Sequence, residues 1–114
     1  MTRSIARSSN ITLTNLEGVP GKEIIEHYGL VQGSTIRAKQ VGKDILAGFK
    51  NIVGGELKAY TELLQESRKE AVNRMVQQAE QLGANAVVNV RFATSSVAPG
   101  AAELFAYGTA VKVQ

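Results

Sequence analysis

The chain has 114 residues, of which 44% are hydrophobic and 20% are charged, and its formal net charge is +3. This length accommodates one globular core, and these fractions are typical of a globular protein. No apolar run approaches the roughly 20 residues that a membrane-spanning helix needs. The absence of cysteine excludes disulfides, thiolate metal ligands and a thiol nucleophile. We therefore expect a cytoplasmic protein that does not enter a membrane.

Residues 1–10 predict a flexible tail. They carry Arg3 and Arg7 among serines, with no acidic residue and no apolar stretch long enough for a signal peptide. These two arginines supply most of the net positive charge, which leaves the expected single domain, residues 11–114, nearly neutral. Nucleic-acid binding requires clustered basic side chains with stacking aromatic residues, and neither is present as a cluster. We expect no nucleic-acid partner.

The N-terminal part predicts a strand, a short helix and a second strand. From Ile11 onward, apolar residues alternate with threonines, which is the period of a strand. Within 21–28 the apolar residues fall at helical spacing, and Gly29 follows as a helix end. Residues 30–38 predict the second strand, in which Gly33 marks a bulge or the close approach of another backbone.

Two further helices are predicted in the middle of the chain. Asp44 suits a helix N-cap, and the apolar residues of 45–53 follow at helical spacing until Gly54 and Gly55 end this helix. A long amphipathic helix then extends over 57–82, with its apolar residues on one broad stripe.

The C-terminal part predicts two strands joined by a loop. Gly83 occupies the position that follows a helix end, and residues 86–92 are rich in β-branched side chains. The small and polar residues of 93–102 predict an exposed loop. The last strand, 103–113, is largely apolar on both faces, so we expect the long helix to cover one face and a neighbouring subunit the other. The order of elements predicts an α+β fold, in which a small antiparallel or mixed sheet packs on one dominant helix.

Four segments resemble a known family in their residues and in their order. They are NIVGGELKAY at 51–60, Arg68 and Ala71 in the long helix, GANAVVNV at 83–90, and GTAVKV at 108–113. Together they resemble the YbjQ-like family of uncharacterised proteins, which is described as heavy-metal-binding. The resemblance covers residues 11–113 and implies a dodecin-like α+β subunit that assembles into a ring, commonly a homopentamer.

The composition does not match the metal-binding description well. Soft metals such as Cu(I), Hg and Cd are best held by thiolates, and the chain has no cysteine. The resemblance also implies a basic residue after the double glycine, whereas this chain has Glu56 at that position. A basic ligand at this position is therefore not expected.

Arg68 falls within the apolar stripe of the predicted long helix, so we expect its guanidinium to be buried and to need a partner. Asp44 is the preferred partner in a structural ion pair, and Glu56 is the substitute if Asp44 caps its own helix. The alternative is that Arg68 binds an anion in a pocket between subunits.

His27 is the only histidine, and Glu23 precedes it by four residues, so on a helix the two could form a divalent-metal site. We favour a simpler interpretation, in which His27 interacts with the helix dipole. A column of carboxylates that ends at Glu70 could hold a hard cation. Glu70 and Arg74 are spaced for an ion pair, however, and a solvated face is the stronger hypothesis.

The segment Gly54-Gly55-Glu56 lacks the spacing of a phosphate-binding loop, so packing is its favoured role. The alternative is that free backbone N–H groups at the start of the long helix hold an anion, with Tyr60 lining the same place. No Ser-His-Asp set and no catalytic pair of carboxylates can be proposed from the spacing.

These observations favour a ring-forming homo-oligomer with a structural or small-ligand-binding role rather than an enzyme. We expect its subunit contacts at the double glycine, the start of the long helix and the last strand. The alternative is a protein that binds a divalent metal ion or an anion at its subunit interfaces.

Overall fold

The computed structural model describes residues 10–37, 55–98 and 101–114. Its elements, in chain order, are β1 Thr12–Leu13, β2 Ile24–Arg37, α1 Gly55–Leu82, β3 Ala86–Ala98 and β4 Ala101–Val113. The four strands form one sheet in the order β1-β3-β4-β2, in which β1 pairs with β3 in parallel and the other pairs are antiparallel. The structure thus confirms an α+β fold with a mixed sheet packed on one long helix.

Two of the predicted elements lie outside the described residues. They are the helix predicted at 45–53 with its N-cap Asp44, and nearly all of the tail predicted at 1–10. Within the described ranges, no helix is both long enough and apolar enough to span a membrane.

The short helix predicted at 21–28 is wrong. Ile24 starts β2, and the pairing of β2 with β4 continues from Ile24 opposite Val113 to Arg37 opposite Ala102. A helix of two turns is not stable by itself, so pairing with a long neighbouring strand outweighs the local helical spacing. Gly29 has a φ of 103° and lies at a register shift in β2, rather than at a helix end.

The exposed loop predicted at 93–102 is also wrong for most of its length. β3 and β4 form a long hairpin that stays paired as far as Ala98 opposite Ala101. Threonine, serine and alanine carry weak local preferences, and continuous pairing with β4 decides their conformation. The predicted strand at 86–92 is therefore the first half of a strand of 13 residues.

The long helix ends as its sequence predicts. Gly83 has a φ of 89°, a conformation that favours glycine. Its N–H donates to the Glu80 carbonyl at 3.0 Å, and the Ala84 N–H donates to the Ala79 carbonyl at 3.1 Å. This pair of bonds is the Schellman motif, which satisfies the last carbonyls of α1.

The main core lies between α1 and one face of the sheet, and its residues are mostly small. They are Ile11, Val31, Ala71, Met75, Val76, Ala79, Ala84, Val87, Ala106 and Ala110. Gly33 of β2 is also buried, and a Cβ atom there would meet the backbone of Ala71 and Met75 and, at 2.8 Å, the Cβ of Arg74. Of the two predictions for Gly33, close backbone approach is confirmed.

A second, smaller core lies on the opposite face of the sheet. Ala86, Val88, Val111 and Val113 are buried there under Val19 and Ile24. The chain therefore covers this half of the second face with its own residues. The expectation that a neighbouring subunit covers the second face can apply only to the other half of the sheet.

Replacing Gly33 with alanine tests the close contact between α1 and β2. The added methyl group would overlap backbone atoms that cannot move independently, so we expect Gly33→Ala to lower the free energy of unfolding by about 2–3 kcal/mol. Urea denaturation measures this change. Gly18→Ala is the matched control, because a Cβ there meets nothing within 4 Å, and an equal loss in both variants would contradict the contact.

Candidate functional site

Two surface clefts in the described part of the chain offer polar groups. The first has a volume of about 530 Å³ and lies between β3 and the loop that follows β1. Residues 15–20 of that loop line it, together with Asn89 and Arg91 of β3. The second, of about 400 Å³, lies between α1 and the outer edge of β2. Both are open to solvent, and the first is called the loop cleft below.

Backbone hydrogen bonds hold the loop cleft in shape. The Val90 N–H donates to the Thr14 carbonyl at 3.0 Å, and the Asn89 N–H donates to the Leu16 carbonyl at 2.9 Å. Asn89 itself has a φ of 54°, which is uncommon for any residue except glycine and best tolerated by asparagine and aspartate. It lies at a register shift between Val88 and Arg91, where the extra length of β3 changes the direction of the strand.

Arg91 is the charged group that this shift places beside the loop. One guanidinium nitrogen, Nη1, donates to the Asn15 carbonyl at 3.0 Å and to the Val90 carbonyl at 3.1 Å. Its other N–H groups have no hydrogen-bond partner among the described residues, so they are able to hold a carboxylate or a phosphate. Glu17 lines the same cleft and opposes such binding.

The lining of the loop cleft limits its chemistry. It contains Asn15, Leu16, Glu17, Gly18, Val19, Pro20, Asn89 and Arg91. None of these side chains is a hydroxyl or imidazole nucleophile.

Side chains of α1 that bond to the backbone of β2 line the second cleft. The Gln32 N–H donates to Gln78 Oε1 at 2.7 Å, and Arg74 Nη1 donates to the Ser34 carbonyl at 2.6 Å. Arg74 Nη2 also contacts Glu70 Oε2 at 2.8 Å, which confirms the predicted ion pair. These bonds occupy backbone groups at the outer edge of β2.

Arg91, Asn89 and Gln78 were not predicted as site residues from the sequence. An asparagine inside the β-branched run VVNVRF was the one available signal, because it suggests an interruption of a strand. The contacts of Arg74 and Gln78 with β2 join residues that are 40 and 46 positions apart. Spacing within the helix cannot reveal such contacts.

The predicted burial of Arg68 is wrong. Arg68 is exposed although it lies on the same side of α1 as the core residues. Leu64, one turn earlier on that side, is also 39% exposed. β2 covers the neighbouring Ser67, whose carbonyl accepts a hydrogen bond from the Thr35 hydroxyl at 3.3 Å, but it leaves Leu64 and Arg68 exposed, so Arg68 can extend into solvent.

The other residues predicted around Arg68 are not brought together by the described structure. Asp44 and Gly54 lie outside the described residues, and Gly55 is the first residue of α1. The side chains of Glu56 and Tyr60 also lie outside that description. An ion pair of Arg68 with Asp44 or Glu56 stays a prediction.

The helical geometry proposed for Glu23 and His27 is wrong, because His27 lies on β2 and Glu23 directly precedes that strand. Four residues of extended chain span about 13 Å, which is too far for one metal ion to bridge. His27 is exposed and paired with Val111 rather than placed at a helix end.

Beside His27, the Tyr28 hydroxyl donates to Glu26 Oε1 at 3.2 Å. Desolvation, together with this bond, raises the pKa of Tyr28 above its ordinary value.

The donor set of one chain does not fit a soft-metal site. The whole sequence supplies no cysteine, one histidine and two methionines. Met75 is fully buried in the core, so its thioether is not accessible. Among the described residues, no three His, Asp or Glu side chains lie close enough together to hold a metal ion.

Comparison with known proteins assigns the family. The family model of YbjQ, described as "Putative heavy-metal-binding", matches residues 11–114. A UPF0145 protein of Hahella chejuensis is 67% identical over 102 residues, which are 90% of this chain and 98% of that protein. A UPF0145 protein of Archaeoglobus fulgidus is 61% identical over 104 residues, which are 91% of this chain and 96% of that protein.

One solved structure supports the fold. It is a crystal structure of a protein of unknown function, of the DUF74 family, from Pediococcus pentosaceus. The TM-score is 0.61 over 93% of this chain and 100% of that chain, at 14% sequence identity. At this identity the likeness concerns the fold alone.

The fold defines a small α+β protein with polar clefts on its surface. The matches over nearly the whole chain place it in a particular family. The chain belongs to the YbjQ family of UPF0145 proteins, as the resemblance of its motifs indicates.

Replacing Asn89 tests the backbone conformation that shapes the loop cleft. Alanine lacks the polar side chain that lets asparagine tolerate the left-handed region. We therefore expect Asn89→Ala to lower the free energy of unfolding by about 1 kcal/mol. Asn89→Gly is the matched control and should match or exceed the stability of the parent protein. Equal destabilisation of both variants in urea denaturation would argue against this conformation.

Metal titration tests whether one chain lacks the ligands for a soft-metal site. We expect calorimetric titrations with Cd²⁺ and Zn²⁺ to show no saturable binding at micromolar metal, because a subunit offers one accessible imidazole and no thiolate. Tight binding that persists in His27→Ala would contradict this expectation.

Proposed function

We propose that this protein is the subunit of a homo-oligomer, arranged as a ring of five copies, with a structural or small-ligand-binding role. The observation that carries the proposal is the apolar surface of the distal sheet. This term denotes residues 30–37 of β2, 91–98 of β3 and 101–107 of β4. Leu30 is 71% exposed, Ile36 57% and Phe92 50%.

The exposed apolar residues of the distal sheet lie on both of its faces. Leu30 and Ile36 alternate with Val31 and Thr35, which are buried against α1, so they belong to the face opposite the helix. Phe92 pairs with the buried Ala106 and so lies on the same face as α1. Each face therefore presents apolar area that a second copy can bury.

Burial of these exposed side chains favours association. Burying a large apolar side chain completely contributes about 1.5–3 kcal/mol, and association costs an estimated 4–15 kcal/mol in lost freedom. One exposed leucine cannot offset this cost. Leu30 and Ile36 lie on the same face, so one contact on that face buries both and offsets more of this cost.

The ligand class that the described clefts suit best is an anion at a junction between copies. Arg91 lies both in the loop cleft and at the start of the distal part of β3. A carboxylate or phosphate bound there would be next to the proposed contact. The donor set makes a soft metal a poorer candidate, and any such site would need His27 from several copies.

Removing the exposed apolar side chains tests the proposed assembly. We expect light scattering to give a multiple of the subunit mass for the parent protein at micromolar concentration. The double variant Leu30→Gln/Ile36→Gln should give a clearly smaller mass, because its contact surface becomes polar. Leu82→Gln is the matched control, since Leu82 is 44% exposed but lies at the end of α1.

A parent protein that scatters as single subunits would contradict the proposal. A control variant that dissociates as far as the double variant would show that the effect is not specific to the distal sheet.

A further inference from the structure

The two sides of the sheet differ in how their strand edges are protected. β2 forms one outer edge, where register shifts near Glu26 and Gly29 interrupt its first half. In its second half, the Gln32 N–H donates to Gln78 and the Ser34 carbonyl accepts from Arg74. Bulges and covering side chains are the means by which proteins prevent pairing at an edge. The β2 edge is thus closed to a further strand.

The other side of the sheet has a different arrangement. β1 pairs with β3 at Ala86 and Val87, and the loop after β1 bonds to β3 as far as Val90. From Arg91 to Ala98, β3 has a strand neighbour on one side, β4, among the described elements. This stretch is called the open edge.

The register shows which backbone groups face outward at the open edge. Gln32 and Ser34 direct their backbone groups away from the sheet, so their partners on β4, Tyr107 and Phe105, direct theirs toward β3. Tyr107 and Phe105 pair on β3 with Arg91 and Ala93.

Arg91 and Ala93 therefore direct their backbone N–H and C=O groups toward β4. Because this direction alternates along a strand, Phe92, Thr94 and Ser96 direct theirs outward, away from the sheet. No hydrogen bond from their outward groups reaches any described residue of the chain. All three residues are exposed.

The sequence of the open edge lacks the usual protection against pairing. After Arg91, residues 92–98 read FATSSVA, with no charge and no proline. An exposed, uncharged strand edge of this length is a template for another strand. Its occupant must supply a similarly neutral strand with free backbone groups.

We propose that the open edge pairs with the open edge of a second copy, in antiparallel direction and centred on Thr94. This inference rests on the proposed homo-oligomer and names one of its contacts. Centring on Thr94 sets Phe92 opposite the partner's Ser96, so the outward backbone groups of the two copies face each other. Arg91, the charged residue of the edge, then lies opposite the partner's Val97, which keeps the two arginines apart.

The same arrangement agrees with the rest of the molecule. The closed β2 edge cannot accept the open edge, so strand pairing between copies ends with one pair and does not extend into a fibre. The contact also buries part of Phe92, which is half exposed in one subunit. It has two-fold symmetry and therefore adds to the head-to-tail contacts within a ring of five.

A single cysteine tests the pairing directly, because the chain has none of its own. In the proposed register Thr94 lies opposite the partner's Thr94, with Cα atoms about 5.5 Å apart, which is within the range of a disulfide. We expect Thr94→Cys to form a disulfide-linked dimer in most molecules under mild oxidation. Gln77→Cys, on the exposed side of α1, is the matched control and should stay largely unlinked.

Proline supplies a second, independent test. Thr94→Pro removes an outward N–H that makes no bond to β4, so the hairpin should fold, as circular dichroism would verify. The mass by light scattering should fall by about half, since one two-fold contact is lost. Thr94→Ala keeps the N–H and should retain the mass of the parent protein.

The outcomes separate this inference from the proposed function. A parent protein that is a single subunit would overturn both. An assembled parent whose Thr94→Cys variant links no better than Gln77→Cys would overturn the pairing and leave the homo-oligomer in place. An unchanged mass in folded Thr94→Pro would overturn the pairing in the same way.

Discussion

The contact between the α1 backbone and Gly33 of β2 determines how the helix lies on the sheet. A side chain at position 33 would overlap backbone atoms of α1, so the absence of a Cβ allows the helix to lie directly against β2. This position brings Arg74 and Gln78 to the outer edge of β2, where they bond to its backbone. It also leaves β3 with little cover from the helix, since the residues of β3 beyond Val90 are exposed through Ser96.

This asymmetry connects the fold to the proposed function. The chain covers the first half of the second sheet face with Val19 and Ile24, and it protects one edge with side chains of α1. It leaves exposed apolar side chains on both faces of the distal sheet, and it leaves the open edge of β3 without an outer neighbour among the described strands. A protein that stayed a single subunit would gain nothing from this exposed area, whereas association would bury it. The donor set, with one histidine and no cysteine, gives a single subunit no comparable basis for binding a soft metal.

Local patterns predicted those elements whose cause is local. The stripe of apolar residues over 57–82 and the glycine that follows it specify the long helix and its end, and both are confirmed. The short helix at 21–28 and the loop at 93–102 are wrong because pairing between distant strands, which spacing does not show, decides both segments. Arg68 was expected to be buried, but helical periodicity gives only the side of the helix and not which residues of that side the sheet covers. Arg91 and Asn89 depend on a register shift in β3 and were missed for the same reason.

The central claim is that α1 closes one edge of the sheet and that association closes the other. Amide hydrogen exchange at single-residue resolution, measured over a range of protein concentrations, tests it most directly. We expect slow exchange at Gln32 at every concentration, because Gln78 holds that N–H within the subunit. At Phe92, Thr94 and Ser96 we expect exchange to become slow only as the protein assembles. Fast exchange at these three amides in the assembled protein would contradict it.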